Sequence, residues 1–309
     1  MTLDYLWIGI SVFGALMQAV RTAAQKTLNQ TMSNLGTTYV RSLFGLPVMV
    51  VFLAVVLLTV KSDIPSFSGT FLFCAFAGAA AQVLATMLLI FLFKLKNFAI
   101  GTMLIKVDVI MTAVLGSLFF SESLSLFGVL ALFVVTGGVI LMSIGKIGIG
   151  NIAPGDQTLA DALTGRATQV ALGCAFLFTL SYLFLREATL IIGDGDFLWR
   201  AGWTVVVATA MQTIGVGLYV AAREPQVFSQ IWPNRQIIGF IGLTSALGSI
   251  AWFTAFAIQN ASYVRAVGQI EVVFTLLISW LYFREKLTAI ELAGIGVTVA
   301  GVLMFRMVY

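Results

Sequence analysis

Histidine is absent from the 309 residues, cysteine occurs twice and proline five times. Without imidazole there can be no histidine-based metal site, no haem ligation by histidine and no histidine proton relay. Cys74 and Cys174 both lie in apolar runs, where small buried side chains are expected rather than a disulfide or a metal pair. No cofactor is expected. Charge is equally scarce. Charged residues make up 10% of the chain, and the net charge of +4 is too small and dispersed to suit a nucleic-acid partner. There is no G-x-S-x-G and no concentrated aspartate motif, so an enzyme is not expected. The first apolar run follows "MTLD", lacks a basic n-region and is too long for an h-region, which argues against a cleaved signal.

What is abundant is apolar side chain: 60% of the residues are hydrophobic and the mean hydropathy is +1.03. A soluble domain is about half apolar and about a quarter charged, so this chain has too little polar surface to cover itself. The excess is arranged in stretches of about 20 residues, each long enough to cross a bilayer. Ten such segments are predicted, at 5–28, 37–60, 70–93, 99–120, 124–145, 168–186, 197–221, 237–258, 262–283 and 287–306. Pro65, Pro154, Pro225 and Pro233 fall in connections; only Pro47 lies inside a segment, where it could kink the helix. The reading is an all-α polytopic membrane protein with ten transmembrane helices.

The chain also repeats itself. Moving 93–142 forward by 163 positions lays it on 256–305 without a gap. Matches among Val, Leu and Phe are expected by chance in apolar sequence, so the polar ones carry the weight. Asn97 falls on Asn260, Asp108 on Glu271, Thr112 on Thr275 and Glu122 on Glu285, with Gly138-Val139 on Gly301-Val302. "TTYVRSLFG" and "DFLWRAGWT" align more loosely around Arg41 and Arg200. The predicted organisation is a first five-helix repeat at 1–146, a polar linker at 147–167 and a second repeat at 168–309. Because five spans is an odd number, the second copy sits upside down in the bilayer. Inverted repeats of this kind are built by carriers that bind substrate near the membrane midplane.

The two repeat ends, "LFFSESLSLFGVLALFVVTGGVILM" and "LYFREKLTAIELAGIGVTVAGVLMF", resemble the drug/metabolite transporter superfamily, specifically its EamA-type ten-helix permeases. Each has an apolar helix, a glutamate at the turn (Glu122, Glu285) and a final helix closing on Gly137-Gly138-Val139 or Ala300-Gly301-Val302. The resemblance implies a metabolite transporter of the cell (inner) membrane, multi-pass, with both termini in the cytoplasm. The family commonly has a proline midway along the fourth and ninth helices; here those positions are Val109 and Val272. A missing proline predicts an unbroken backbone ladder at both places.

Candidate site residues follow from what charge costs in hydrocarbon. A charge at the centre of a spanning helix costs about 2.5–3.5 kcal/mol on insertion scales and is usually turned inward. Asp108 and Glu271 are mid-segment in both copies, each with a threonine four residues on, Thr112 and Thr275. They are candidates for binding substrate or for exchanging a proton as coupling ion, with helix-locking hydrogen bonds as the alternative. Lys106 projects about 200° away from Asp108, so the two cannot neutralise each other directly. Gln18, Arg21 and Gln25 share one face of the first helix, and Thr179, Tyr182 and Arg186 one face of the sixth. Such stripes line a watery path or bind helices together. Arg41, Arg200 and Arg265 read as interfacial arginines near helix ends. Glu122 and Glu285 read as anchors of helix N-termini.

The function expected is secondary active transport of a small polar metabolite by alternating access. Its partners are the substrate and the lipid bilayer. An amino acid or other carboxylate-bearing compound fits arginines beside intramembrane acids, and outward movement is expected. The alternative is a non-transporting membrane receptor or assembly partner. Orientation stays open, because charge and resemblance disagree. Connections opposite the termini carry Lys94, Lys96, Lys146, Arg166, Arg223, Arg235, Arg284 and Lys286, and the positive-inside rule places those in the cytoplasm. The charge count predicts a C-terminal reporter fusion active only in the periplasm; a cytoplasmic signal refutes it in favour of the family orientation.

Overall fold

The structure is a computed structural model that describes residues 3–60, 64–92, 95, 103–147, 165–282, 284 and 287–308. Lys94, Lys96, Asn97, Glu285, Lys286, most of the linker and the Lys146 side chain lie outside the described residues. The described chain is helical, with no strand. Its helices are α1 (Leu3–Leu28), α2 (Asn34–Val60), α3 (Gly69–Leu92), α4 (Asp108–Phe119), α5 (Leu126–Ile147) and α6 (Arg166–Ile191). After them come α7 (Phe197–Arg223), α8 (Gln226–Ile231), α9 (Arg235–Ile258), α10 (Ala261–Gly268), α11 (Glu271–Tyr282) and α12 (Ala289–Met304). Nine spans among the described residues are long and apolar enough to cross a membrane, one of them formed by α10 and α11 together. The fourth predicted segment is described only from residue 103, so the count of ten is not fixed. Pro47 sits inside α2 without ending it.

Large apolar side chains point outward: Leu58 is 80% exposed and Leu118 69%, whereas Asp108 and Glu122 are buried. Water would not tolerate that pattern along whole helices, but lipid does.

The chain forms two compact units, Met1–Ala80 with Phe184–Gln259, and Ala81–Leu183 with Asn260–Tyr309. Each draws on both sequence halves. In the first unit α9 packs on α1, α2 and α7. Its burial is continuous from Ala251 to Ala257, whereas Phe240 and Leu243 nearer its start stay exposed, as expected of a helix that is enclosed at one end. Helices approach closely at small residues. A Cβ added to Gly45 would stand 3.3 Å from the carbonyl oxygen of Gly242. Cys74 is buried in a cluster with Val56, Phe71, Ala75, Ala188, Ile192 and Trp199, and both cysteines are free.

The second unit is organised by α5 against α12. A Cβ on Gly138 would stand 2.6 Å from the amide nitrogen of Thr298, and one on Gly301 would stand 2.8 Å from that of Val135. Further along α5, Met142 lies against Gly294, and Gly145 against Glu291 and Thr288. Numbers rise on one helix as they fall on the other, so the pair is antiparallel. Gly138 and Gly301 are equivalent in the duplication, as are Val135 and Thr298, and their two contacts exchange. The two copies of this helix therefore run in opposite directions about a local two-fold axis. Only glycine permits that approach.

The turn before α5 is also duplicated: Ser121 and Arg284 are equivalent, and both adopt positive φ, 53° and 55°. Beyond Ser121, the carboxylate of Glu122 accepts from the amides of Ala261 (2.7 Å) and Ser262 (3.3 Å) and from the Ser262 hydroxyl. It is indeed a helix anchor, but for α10 and not for the helix that follows it in sequence. The amide of Ser125 donates to the Tyr263 hydroxyl at 2.8 Å, and the Asn260 amide group donates to the carbonyl of Ser123 at 2.9 Å. Orphan donors at a buried helix start must be satisfied, and a carboxylate there also meets the positive end of the helix dipole.

Gly138→Leu and Gly301→Leu are each expected to lower unfolding stability by about 1–3 kcal/mol through overpacking. Nothing lies within 4 Å of a Cβ on Gly137, so Gly137→Leu is expected to change stability by less than about 0.5 kcal/mol. Thermal unfolding in detergent checks both.

Candidate functional site: an ion pair at a tightened helix

Just ahead of Asp108 the helix tightens. The amides of Lys106 and Val107 donate to Met103 and Leu104, three residues back, at 3.0 and 3.1 Å. At the equivalent place in the second copy, Gln269 and Ile270 donate three residues back to Ala266 and Val267, both at 3.1 Å. The unbroken ladder expected from the missing prolines is thus corrected: both copies carry a turn of three-residue hydrogen bonds in mid-helix. Threonine hydroxyls engage the backbone at both turns. The Thr112 hydroxyl donates to the Asp108 carbonyl at 2.6 Å and the Thr275 hydroxyl to the Glu271 carbonyl at 2.9 Å. Back-bonding of this kind bends helices, and mid-helix tightening often marks a hinge. Thr179 of α6 also donates to the Asp108 carbonyl, at 3.1 Å. Thr112 and Thr275 therefore serve the backbone of the acids, not their carboxylates.

Asp108 opens α4 and Glu271 opens α11, each where the helix dipole favours a negative charge. Asp108 is 2% exposed. Its Oδ2 lies 3.0 Å from Nη2 of Arg265, and its Oδ1 accepts from Nε2 of Gln269 at 3.3 Å. Arg265, in the last turn of α10, is where a dipole favours positive charge. Its guanidinium also lies 4.0 Å from the centre of the Tyr182 ring, and Tyr182 stacks in parallel on Phe178 at 6.0 Å. A cation on an aromatic face gains about 0.5–2 kcal/mol, more as water is excluded. Glu271 is half-buried and acts electrostatically on Arg265; Lys106 is half-buried in the first copy's turn.

Arg265 is the correction that matters most. Near the start of a predicted segment it reads as an interfacial arginine, yet all eight residues of α10 are buried. The end of this helix faces protein. Two signals in the sequence pointed to it. Gln269 is the equivalent of Lys106, and Arg265 lies four residues before it, hence on its face.

The other candidates belong to the first unit. The Gln18 side chain accepts from the Trp252 indole at 3.2 Å, which ties α1 to α9. Nε of Arg186 donates to the carbonyl of Gln259 at 3.0 Å, and Nη2 of Arg200 to that of Ala257 at 3.2 Å. Arg200 thus holds the end of α9. Arg21 and Gln25 are half-buried on the α1 stripe, and Arg41 lies close enough to Arg21 for their charges to repel. The α6 stripe divides: Thr179 and Tyr182 join the Asp108 cluster, whereas Arg186 turns to α9.

Breaking a buried ion pair at one end leaves an uncompensated charge and costs about 3–5 kcal/mol. Asp108→Asn and Arg265→Gln are each expected to lose stability of that order. The double variant is expected to lose less than either loss added to the other, because no lone charge is left. A double-mutant cycle by thermal or chemical unfolding measures it.

Comparison with known proteins bears on the whole chain. Among curated proteins no sequence match was found. One crystal structure is similar over 98% of this chain and 96% of its own, with a TM-score of 0.67 and 13% sequence identity, a likeness of fold alone. The sequence pattern of the EamA-like transporter family matches twice, at residues 5–144 and 166–307. The chain belongs to the EamA-like transporter family, within the drug/metabolite transporter superfamily.

Proposed function

We propose that the protein is a secondary carrier of a small polar metabolite, working by alternating access between two inverted five-helix repeats. The single observation that carries this is the pair of tightened turns at equivalent positions, 106–107 and 269–270, each followed by a buried or half-buried acid. Carriers of inverted repeats place their sites at such discontinuous helices, because freed backbone and helix ends can meet a solute there. The antiparallel α5 and α12 support the inversion, since the two copies of one helix run oppositely. The domain organisation proposed is a repeat at 1–146, a linker at 147–167 and a repeat at 168–309.

Equivalence also suggests the second state. The contact between Gln269 and Asp108 has an exchanged mate, Lys106 with Glu271, which would be an ion pair. Alternation between the two contacts gives each repeat a turn at closing the path.

The substrate reading is a carboxylate-bearing compound, with an amino acid favoured and net movement outward. Arg21, on the polar stripe with Gln18 and Gln25, and Arg41 beside it supply positive potential that attracts a carboxylate into the path. Asp108 or Glu271 exchanges a proton during the cycle.

Proteoliposomes holding the full chain are expected to move at least one small polar solute faster than empty vesicles, with a dependence on pH that Asp108→Asn or Glu271→Gln removes. Arg21→Gln is expected to slow acids more than the corresponding amides. A broad solute panel with no transport sinks the carrier; unchanged pH dependence in both neutral variants sinks the proton.

A further inference from the structure

Gln269 makes one contact too few. Its Nε2 donates to Asp108, but its Oε1, buried in a side chain only 2% exposed, has no hydrogen-bond partner among the described residues. A buried acceptor without a donor costs free energy, and a donor supplied from outside would recover it. Beside it stand a carboxylate and a guanidinium whose nearest atoms are 3.0 Å apart. Resting on the carrier reading above, we propose that the Asp108–Arg265 pair is an exchangeable lock. The ammonium of an α-amino carboxylate replaces Arg265 on Asp108 and donates to Gln269 Oε1, while its carboxylate takes Arg265. A proton on Asp108 competes with this substrate.

Charge pairing selects the ligand. The ammonium and carboxylate of an α-amino acid are close together and of opposite sign, like the two ends of the internal pair. A plain anion would take Arg265 and leave the Asp108 charge buried alone; a plain cation would do the reverse. Either outcome carries the penalty of a lone buried charge. A zwitterion satisfies both ends at once.

Arg265 is built to move between partners. Its guanidinium has five donors, and its central carbon lies over the Tyr182 ring, 4.0 Å from the centroid. The ring contact can hold the charge while the edge turns from Asp108 to a substrate carboxylate. Among the described residues, the charged or titratable groups tied to Asp108 are Arg265 on α10, Tyr182 and Cys174 on α6, and Lys106 two residues before it, while Glu271 on α11 acts on Arg265 and Tyr182. Glu271 gives Arg265 a second anion to lean on when Asp108 is neutral.

The proton's sign follows. An ionised Asp108 accepts from an ammonium; a protonated one does not attract it. A proton adds to the carboxylate, the substrate leaves with its ammonium intact, and no other bond changes. Substrate and proton thus exclude each other at one carboxylate, which makes them exchange across the membrane in opposite directions.

Equilibrium binding to the purified full chain in detergent tests this, using the standard α-amino acids, their N-acetyl derivatives and their α-amides. At least one free amino acid is expected to bind about tenfold or more tighter than either derivative, the loss typical of one charged hydrogen bond. Its affinity is expected to fall as pH is lowered. Gln269→Leu, which leaves the ion pair in place, is expected to weaken the free amino acid by roughly tenfold and the N-acetyl derivative far less. Equal binding of free and N-acetylated forms, or affinity that rises as pH falls, overturns the proposal. If no amino acid binds while the same preparation transports another solute in vesicles, the lock is wrong and the carrier reading stands. Transport of nothing overturns the carrier itself.

Discussion

An aspartate and an arginine 3.0 Å apart in the protein interior must be placed by the fold, because a buried charge without an opposite partner is costly. Much of the second unit serves that placement. Glu122 and Tyr263 fasten the start of α10 to the turn at 121–125. Eight residues later α10 ends in a tightened turn, and its last turn and that turn present Arg265 and Gln269 on one face. Thr112 and Thr179 hold the carbonyl of Asp108 from two helices. The carboxylate then starts α4 with the helix dipole in its favour. Behind this, the glycine contacts between α5 and α12 set two backbones against each other with no side chain between them.

Duplication explains where these parts are, and its imperfection explains why they differ. The tightened turns, the positive-φ residues Ser121 and Arg284, and the exchanging glycine contacts all recur at the 163-residue offset. The ion pair does not. The equivalent of Arg265 is Thr102, outside the described residues, so two acids share one arginine. The two acids are thus chemically unequal within a nearly symmetrical frame, a bias that a switching protein needs if its two states are to respond differently to a ligand.

Several polar residues read in the sequence make contacts between helices of the first unit. Gln18 and Arg186 were candidates for a watery path; in the structure one meets an indole and the other a carbonyl. Polar stripes on apolar helices carry both meanings, and a carbonyl or indole on a facing helix decides between them. The chemistry of the stripe is legible in one helix, its partner is not.

Residue order by itself determined the class, the duplication and the costly charges. Apolar runs of membrane length have no other stable environment, and matched polar residues at one offset mark Asp108 with Glu271 and Gly138 with Gly301. It also determined that Glu122 would hold a helix start. Which helix, only tertiary structure decided, because a capped amide can lie 139 positions away. The same holds for Arg265. Distance along the chain put it near a helix end and hence near water, while packing of α4 and α5 around α10 put that end inside protein. The tightened turns are decided in the same way. Their amides follow local bonding to residues three back, but the hydroxyl of Thr179 and the pull between Asp108 and Arg265 come from other helices, and no single segment of sequence contains them.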